Sequence, residues 1–324
     1  MKISDGGARV QILDPSPPGL RGGNRVTALR WAGILRELGC VVRVRKQWDG
    51  EDCDVLIALH AIKSRESVLR WRKQRGGAPL IVALTGTDFG DAEARASALQ
   101  SLQLADHIIV LFGEAKKSLP ANLAPRVRVI PQSFRGCSQA SAAGDGELVI
   151  TLLANLRAVK DPLLGARALA LRPQLTGLRH VIVGGALDTN LANQMQRAAE
   201  ADARVQWLGP MRRRAALEVL GNSHALLCTS LHEGGAGSVG EALAFGRAVI
   251  ATDIPACRAL LGDDHPGLFG AGDADALARL LERFVSSSDF RAELQQRSKL
   301  RAQHVARPVE LDHWRELLTQ LKKP

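Results

Sequence analysis

Tyrosine is absent from the 324 residues, and aromatic side chains make up only 4% of them. With few stacking platforms and no RNA-binding signature, the composition fits a small anionic partner better than a nucleic acid. The five cysteines (Cys40, Cys53, Cys137, Cys228, Cys257) form no CxxC pair. Their odd number and their place in apolar runs point to reduced, buried thiols instead of a disulfide framework. No apolar run reaches the roughly 18–20 residues of a membrane span. The opening Met1-Lys-Ile-Ser-Asp-Gly-Gly lacks the apolar core of a signal peptide. Metal-ligand spacing, a nucleophile elbow and internal repeats are missing too, and the glycine loop at Pro17–Arg25 is not a GxGxxG fingerprint. The expectation is a cytoplasmic enzyme without membrane or nucleic-acid partner, acting on small molecules.

What is present suits two globular cores. The chain is 46% hydrophobic, and its length corresponds to about two domains. The net charge of +10 is uneven: residues 1–140 hold 21 Lys/Arg against 13 Asp/Glu, residues 141–324 hold 22 against 20. The first half therefore carries the excess. It reads either as a solvated basic surface or as the half that binds something anionic.

Apolar strand-like runs alternate with amphipathic stretches throughout. The first half offers strands at Arg9–Leu13, Val41–Arg45, Val55–Leu59, Leu80–Leu84, His107–Leu111 and Val127–Ile130, with helices at Asn24–Leu38, Ser64–Arg75 and Asp91–Leu104. Strands this continuously apolar belong in parallel sheets covered on both faces. A Ser/Ala/Gly-rich stretch without periodicity follows and reads as a linker at 137–146. Strands then resume at Leu148–Leu153, His180–Val183, Val205–Trp207, Ala225–Cys228 and Ala248–Ala251. Helices alternate with them at Pro162–Leu171, Thr189–Ala201, Arg212–Leu220 and Ser238–Ala244, and Ala274 to Lys322 is helical in pattern. The fold class is α/β: two doubly wound Rossmann-like domains, 1–136 and 147–305, with a closing helical segment, 306–324. In such sheets ligands bind beyond the carboxyl ends of the strands.

The stretch Ser230-Leu-His-Glu-Gly-Gly-Ala-Gly-Ser-Val-Gly-Glu241 is the most telling. Glu233 and Glu241 bracket seven small residues, and the order is strand, glycine loop, helix. Bare amides at a helix start form an anion site, because unpaired N–H groups and the helix dipole point at the ligand. Carboxylates on either side add acceptors for hydroxyls. A phosphate flanked by polyols is a sugar nucleotide. Glu241 also reads as the closing member of a capping box begun by Ser238. Glu233 has no such structural reading, since it sits in a loop that needs no carboxylate.

Further cations and polar groups fall at strand ends. Arg157 and Lys160 follow the strand ending at Leu153, where a bidentate guanidinium and an ammonium can meet a diphosphate. Pro162 then opens a helix at a tolerated position. Gly22-Gly-Asn-Arg25 forms a second glycine loop before a helix, with Arg21 beside it; Asn24 reads equally as an N-cap. Thr85, Thr87 and Asp88 end the strand from Leu80, and Asp88 reads equally as the cap of the next helix. His60 ends the strand from Leu56.

On these residues the chain resembles the GT-B glycosyltransferases of the family-4 type. Glu233 and Glu241 match that family's E-x7-E motif, and Arg157 with Lys160 looks like its diphosphate-binding pair. The resemblance implies two domains facing a central cleft, with the C-terminal helix crossing back. It implies that Glu233 contacts the donor sugar and Glu241 the ribose. Gly234, Gly235, Ala236, Gly237 and Ser238 would meet sugar and phosphate, with Leu208 also on the donor. Neither metal nor cofactor is implied, because protein cations and the helix dipole stabilise the leaving diphosphate. A narrower resemblance runs through Gly23–Ala32, Trp48-Asp-Gly50, Leu56–Ala61, Ala83–Asp88, Leu156–Pro162 and His232–Ala236, and it is to bacterial selenosugar synthases. These join a UDP-sugar, typically UDP-N-acetylglucosamine, to selenophosphate. The basic first half suits a small inorganic anion as acceptor. Gly22, Gly23, Asn24, Arg25 and Thr87 are then the acceptor residues, and Asp88 or His60 would assist hydrolysis of the Se–P bond. Two other readings stand beside it: a conventional UDP-sugar glycosyltransferase with a hydroxyl acceptor, and a non-catalytic sugar-nucleotide or polyanion-binding module.

Overall fold

The computed structural model describes residues 7–16, 22–86, 92–136 and 146–322. The chain divides into two compact units. Unit 1 runs to Gln132 and resumes at Arg307; unit 2 is Ser133–Ala306.

Unit 1 contains six strands, β1 (Arg9–Leu13), β2 (Val41–Arg45), β3 (Val55–Leu59), β4 (Leu80–Ala83), β5 (His107–Val110) and β6 (Val127–Val129), alternating with α1 (Gly23–Glu37), α2 (Arg65–Arg75) and α3 (Ala92–Leu104). They form one parallel sheet in the order β2-β1-β3-β4-β5-β6. β3 and β4 are buried along their whole length, as central strands covered on both faces must be. The direction of strand order reverses between β1 and β3, so the ligand crevice of this sheet lies at their carboxyl ends.

Unit 2 contains β7 (Leu148–Leu153), α4 (Leu164–Ala170), β8 (Leu178–Val183), α5 (Thr189–Ala201), β9 (Val205–Trp207), α6 (Arg213–Gly221), β10 (Ala225–Cys228), α7 (Gly237–Ala244), β11 (Ala248–Thr252), α8 (Pro255–Leu261), β12 (Leu268–Phe269), α9 (Ala274–Ser286) and α10 (Ser288–Arg301). Its sheet is parallel in the order β12-β11-β10-β7-β8-β9, with its switch point between β7 and β10. β12 and α8 have no counterpart in the sequence reading. Two residues of strand and seven of helix are too short to show a period.

The closing helix α11 (Arg307–Lys322) belongs to unit 1. Trp314 packs edge-on to Trp31 of α1 at 4.9 Å between ring centres. Glu310, fully buried, accepts from Trp31 Nε1 at 2.7 Å and from Arg30 Nε at 2.9 Å. A carboxylate in an apolar core is tolerated only with such charge and hydrogen-bond partners. The helical tail is broken twice, at the extended Ser287 between α9 and α10 and at 302–306 by a short 3-10 turn and an extended residue, Ala306.

Candidate functional site

The β7–α4 and β10–α7 loops flank the switch point of unit 2, and they are tied to each other. Thr229 Oγ1 donates to the Lys160 carbonyl at 2.8 Å, and the Leu231 amide donates to the Val159 carbonyl at 2.9 Å. Thr252 Oγ1 holds the Ser230 carbonyl at 2.7 Å. At the far side, Asn155 Oδ1 accepts from the Gly185 amide at 3.0 Å, and Leu156 bridges to Ala186. Gly184 allows this approach, since a Cβ there would lie 1.9 Å from the Ala154 carbonyl oxygen.

Within this frame the sequence-predicted residues come together in part. Lys160 Nζ donates to Glu233 Oε1, and Ser230 Oγ donates to the same oxygen at 2.7 Å. Both members of the ion pair are largely sequestered, 18% and 10% exposed at their side chains. Two donors converging on Oε1 fix the carboxylate and direct its second oxygen elsewhere. The ammonium has three N–H groups, so pairing with Glu233 leaves donors for an anion. Arg157, exposed and in extended backbone, makes no ion pair among the described residues. Asp161 is left-handed and holds Arg167 at 2.7 Å. That extra turn means α4 starts at Leu164, and Pro162 lies before it, not at its opening as the sequence suggested.

Helix α7 starts at Gly237 with Ala236 as its N-cap. Ala236 has φ +43°, a left-handed conformation that costs a non-glycine residue energy and is held by its surroundings, here a fully buried side chain. The capping-box reading of Ser238 and Glu241 is thereby corrected: Ser238 is already inside the helix and no side chain caps it. The first-turn amides of Gly237, Ser238 and Val239 have no acceptor within the helix. Glu241, one turn further, is 12% exposed and its Oε1 lies 2.6 Å from Arg213 Nη1. Gly240 on the same helix receives the Phe134 ring, which would sit 2.1 Å from an added Cβ. Leu208 follows β9, half-buried, its amide bonded to the Ile182 carbonyl at 2.9 Å.

Unit 1 gathers a second set at the ends of β1, β3 and β4. The N-cap of α1 is Gly22, in extended backbone. Asn24 is not the cap the sequence allowed; it lies inside the first turn, where its Oδ1 accepts from Thr85 Oγ1 at 2.7 Å. Arg25 Nη1 lies 3.5 Å from Oδ2 of the buried Asp14, whose other oxygen accepts from the Ser16 amide at 3.1 Å. A Cβ added at Gly22 or Gly23 would meet nothing within 4 Å among the described residues. His60 does not end a strand: β3 stops at Leu59 and His60 turns left-handed at φ +66°, buried. Thr87, Asp88 and Arg21 lie outside the described residues.

Sequence reasoning passed over Arg213, Thr229, Asp14 and Gly184. The Gly184-Gly185 pair directly after a buried strand was a usable signal, the same signal read at 234–235. Arg213 and Asp14 carry none, since their partners are set by packing. Among the described residues no group of three His, Cys, Asp or Glu side chains could hold a metal ion, and no helix is long and apolar enough to cross a membrane.

Two parallel six-stranded sheets, each with a ligand-facing switch point, are the GT-B architecture of glycosyltransferases. Residues 137–301 match the family model for glycosyl transferases group 1, and the chain belongs to that family. Solved structures of the same fold include HepE of Anabaena, in complex with UDP and glucose. It is 15% identical, with a TM-score of 0.78 over 97% of this chain and 100% of that one. Sucrose-phosphate synthase of Thermosynechococcus elongatus is 15% identical, with a TM-score of 0.78 over 97% and 99%. A glycosyltransferase of Rickettsia africae is 14% identical, with a TM-score of 0.77 over 99% and 100%.

Proposed function

We propose that the chain is a selenosugar synthase: it transfers the sugar of a UDP-sugar, UDP-N-acetylglucosamine in the first instance, to selenophosphate. The observation that carries the donor half is the fixed Lys160–Glu233–Ser230 cluster beside the open amides of α7. An ammonium and an exposed guanidinium, Arg157, suit a diphosphate. The α7 amides and the Gly234–Ser238 loop suit its oxygens and the sugar, and the second oxygen of Glu233 accepts from a sugar hydroxyl. Glu241 takes the ribose, and Leu208 lies on the base side. HepE, with UDP and glucose bound, lends the nucleotide its class by analogy.

The acceptor half rests on the resemblance of Gly23–Ala32, Ala83–Asp88 and Leu156–Pro162 to selenosugar synthases. Selenophosphate is assigned to Gly22, Gly23, Asn24, Arg25 and Thr87, where Arg25 provides charge and the start of α1 provides amides. Selenium attacks the anomeric carbon as the C1–O bond to UDP breaks. Selenium is already anionic and polarizable, so a general base has little to do. Charge on the leaving diphosphate then sets the barrier, and oriented donors such as Arg157 and Lys160 contribute about 3–4 kcal/mol each. Water cleaves the Se–P bond afterwards, giving phosphate and a 1-selenosugar, with Asp88 or His60 orienting it. Protein cations replace a metal in this scheme.

Mass spectrometry of the products made from UDP-N-acetylglucosamine and selenophosphate tests the reading. A selenosugar with equimolar UDP and phosphate is expected. UDP release with sugar or other hydroxyl acceptors, and none with selenophosphate, would instead mark a conventional glycosyltransferase. No UDP release with any acceptor would mark a binding module.

A further inference from the structure

The proposed reaction draws on few of the cations in the basic first half. Two others, Lys116 and Arg128, line a cavity of about 250 Å³ between α11 and β6, the edge strand of the unit 1 sheet. The cavity lies wholly within unit 1, and none of its lining takes part in the steps above. One side is apolar, with Val127, Ile130 and Leu317, all buried. The other is polar: Lys116, Arg128, His313 and Gln320, with one carboxylate, Glu316.

The polar side is committed only in part. Arg128 Nε donates to Gln320 Oε1 at 3.2 Å, and Nη1 donates to the Pro125 and Val127 carbonyls at 2.8 and 3.1 Å. A guanidinium has five N–H groups and keeps its charge, so the two on Nη2 remain for another acceptor. Neither Arg128 nor Lys116 makes an ion pair among the described residues, whereas the neighbouring Lys117 pairs with Glu114. Gln320 Nε2 donates to Glu316 Oε1 at 3.4 Å. His313 Nδ1 lies 2.8 Å from the Val309 carbonyl, which only accepts, so Nδ1 carries a proton and Nε2 is left for a ligand. Two cations against one carboxylate make the cavity positive, and a planar guanidinium edge beside an ammonium matches phosphate oxygens. The volume falls below the roughly 300–1,000 Å³ of drug-sized ligand sites, and the apolar wall suits a short carbon body.

We propose that this cavity is a second anion site, which binds a small phosphate monoester: Arg128 Nη2 and Lys116 hold the phosphate group, and the apolar wall covers the carbon end. The site goes beyond the selenosugar reading and does not depend on it. His107 provides a readout of its own. It shares a sheet face with Arg128, through the register that pairs Ile109 with Arg128, and its Nδ1 is buried without a hydrogen-bond partner. Burial first, and the Arg128 charge second, hold its pKa below the ordinary 6.5. An anion on Arg128 offsets that charge and should raise it.

Titration calorimetry with glycerol 3-phosphate, inorganic phosphate and acetate tests the proposal on the wild type, Lys116→Ala, Arg128→Gln and Arg25→Ala. Glycerol 3-phosphate is expected to bind, with its affinity lowered roughly ten-fold in Lys116→Ala and in Arg128→Gln and unchanged in Arg25→Ala. Nuclear magnetic resonance of the wild type should show the His107 pKa rising as this ligand is added. Inorganic phosphate bound as tightly would support the same site with free phosphate as its ligand. Absence of binding, acetate bound as tightly, an affinity that Lys116→Ala leaves unaltered, a loss confined to Arg25→Ala, or a His107 indifferent to the ligand would each overturn the proposal. Arg128→Gln gives up two carbonyl contacts; if its melting curve shows a lost fold, the exposed Lys116 decides.

Discussion

The two switch points are built differently. In unit 2 the loops after β7 and β10 are joined by backbone and side-chain bonds, and both carboxylates of the glycine-loop motif have a cation beside them, Lys160 for Glu233 and Arg213 of α6 for Glu241, while Arg157 stays exposed. In unit 1 the described residues of the corresponding rim include a long ion pair, Asp14 with Arg25 at 3.5 Å, and a hydroxyl–amide bond, Thr85 to Asn24. A site with its carboxylates fixed before the ligand arrives loses little to reorganisation, as a donor carrying two rings and a diphosphate demands. A rim whose cation, Arg25, keeps part of its side chain exposed suits the small anionic acceptor proposed above. Elsewhere the contrast reverses. Unit 1 concentrates its order where α11 closes it, in the buried Glu310–Arg30–Trp31 group.

The largest expected effect tests that last point. Glu310→Ala strands Arg30 and the Trp31 indole in the core and should cost about 3–5 kcal/mol of unit 1 stability, read by denaturant unfolding. An effect below that of an exposed pair would deny α11 its closing role. Next comes Lys160→Ala, which removes the cation proposed for the diphosphate and takes the ammonium from Glu233; kcat at saturating donor should fall about 10²–10³-fold. Unchanged turnover would show that the fixed cluster is only structural.

Acid should then separate the two units. Burial holds the pKa of His180, inside unit 2, at about 4, below its ordinary 6.5. The unfolded chain therefore binds a proton that the folded unit refuses. Stability present above pH 6.5 is lost as pH falls toward 4, by about 3 kcal/mol at full extent. His265, also in unit 2, is pushed by burial to about 4 and adds to the loss. Hydrogen exchange across that range should show unit 2 opening first, and His180→Leu should flatten the dependence. The smallest effect is expected from Arg25→Ala, about a ten-fold rise in acceptor KM with donor KM unchanged. A rise in donor KM instead would move Arg25 out of the acceptor site.

Much of this was legible in the sequence. β7 and β10 were bounded as observed, because parallel strands covered on both faces read as near-continuous apolar runs, β10 buried throughout and β7 in its middle. The strand–glycine–helix order located the α7 amides correctly. What escaped is set by closure of the fold. Ala236 is left-handed because its loop leaves it no other course, and alanine does not advertise that. Asn24 looked like a cap and instead serves Thr85, 61 residues away. The Arg213–Glu241 pair likewise depends on α6 and α7 lying side by side, which no local pattern predicts.

With tyrosine missing, near-ultraviolet emission comes from five indoles, and their placement is lopsided. Trp31, Trp48, Trp71 and Trp314 lie deep in unit 1, in two edge-on pairs. Unit 2 has Trp207 alone, half-buried, its Nε1 bonded to the Gly184 carbonyl at 2.9 Å and its neighbour Leu208 among the residues proposed for the donor. The molecule thus carries its own lamp at the end of β9: any ligand that disturbs that edge alters the colour or yield of one indole against a steady background of four, without a label.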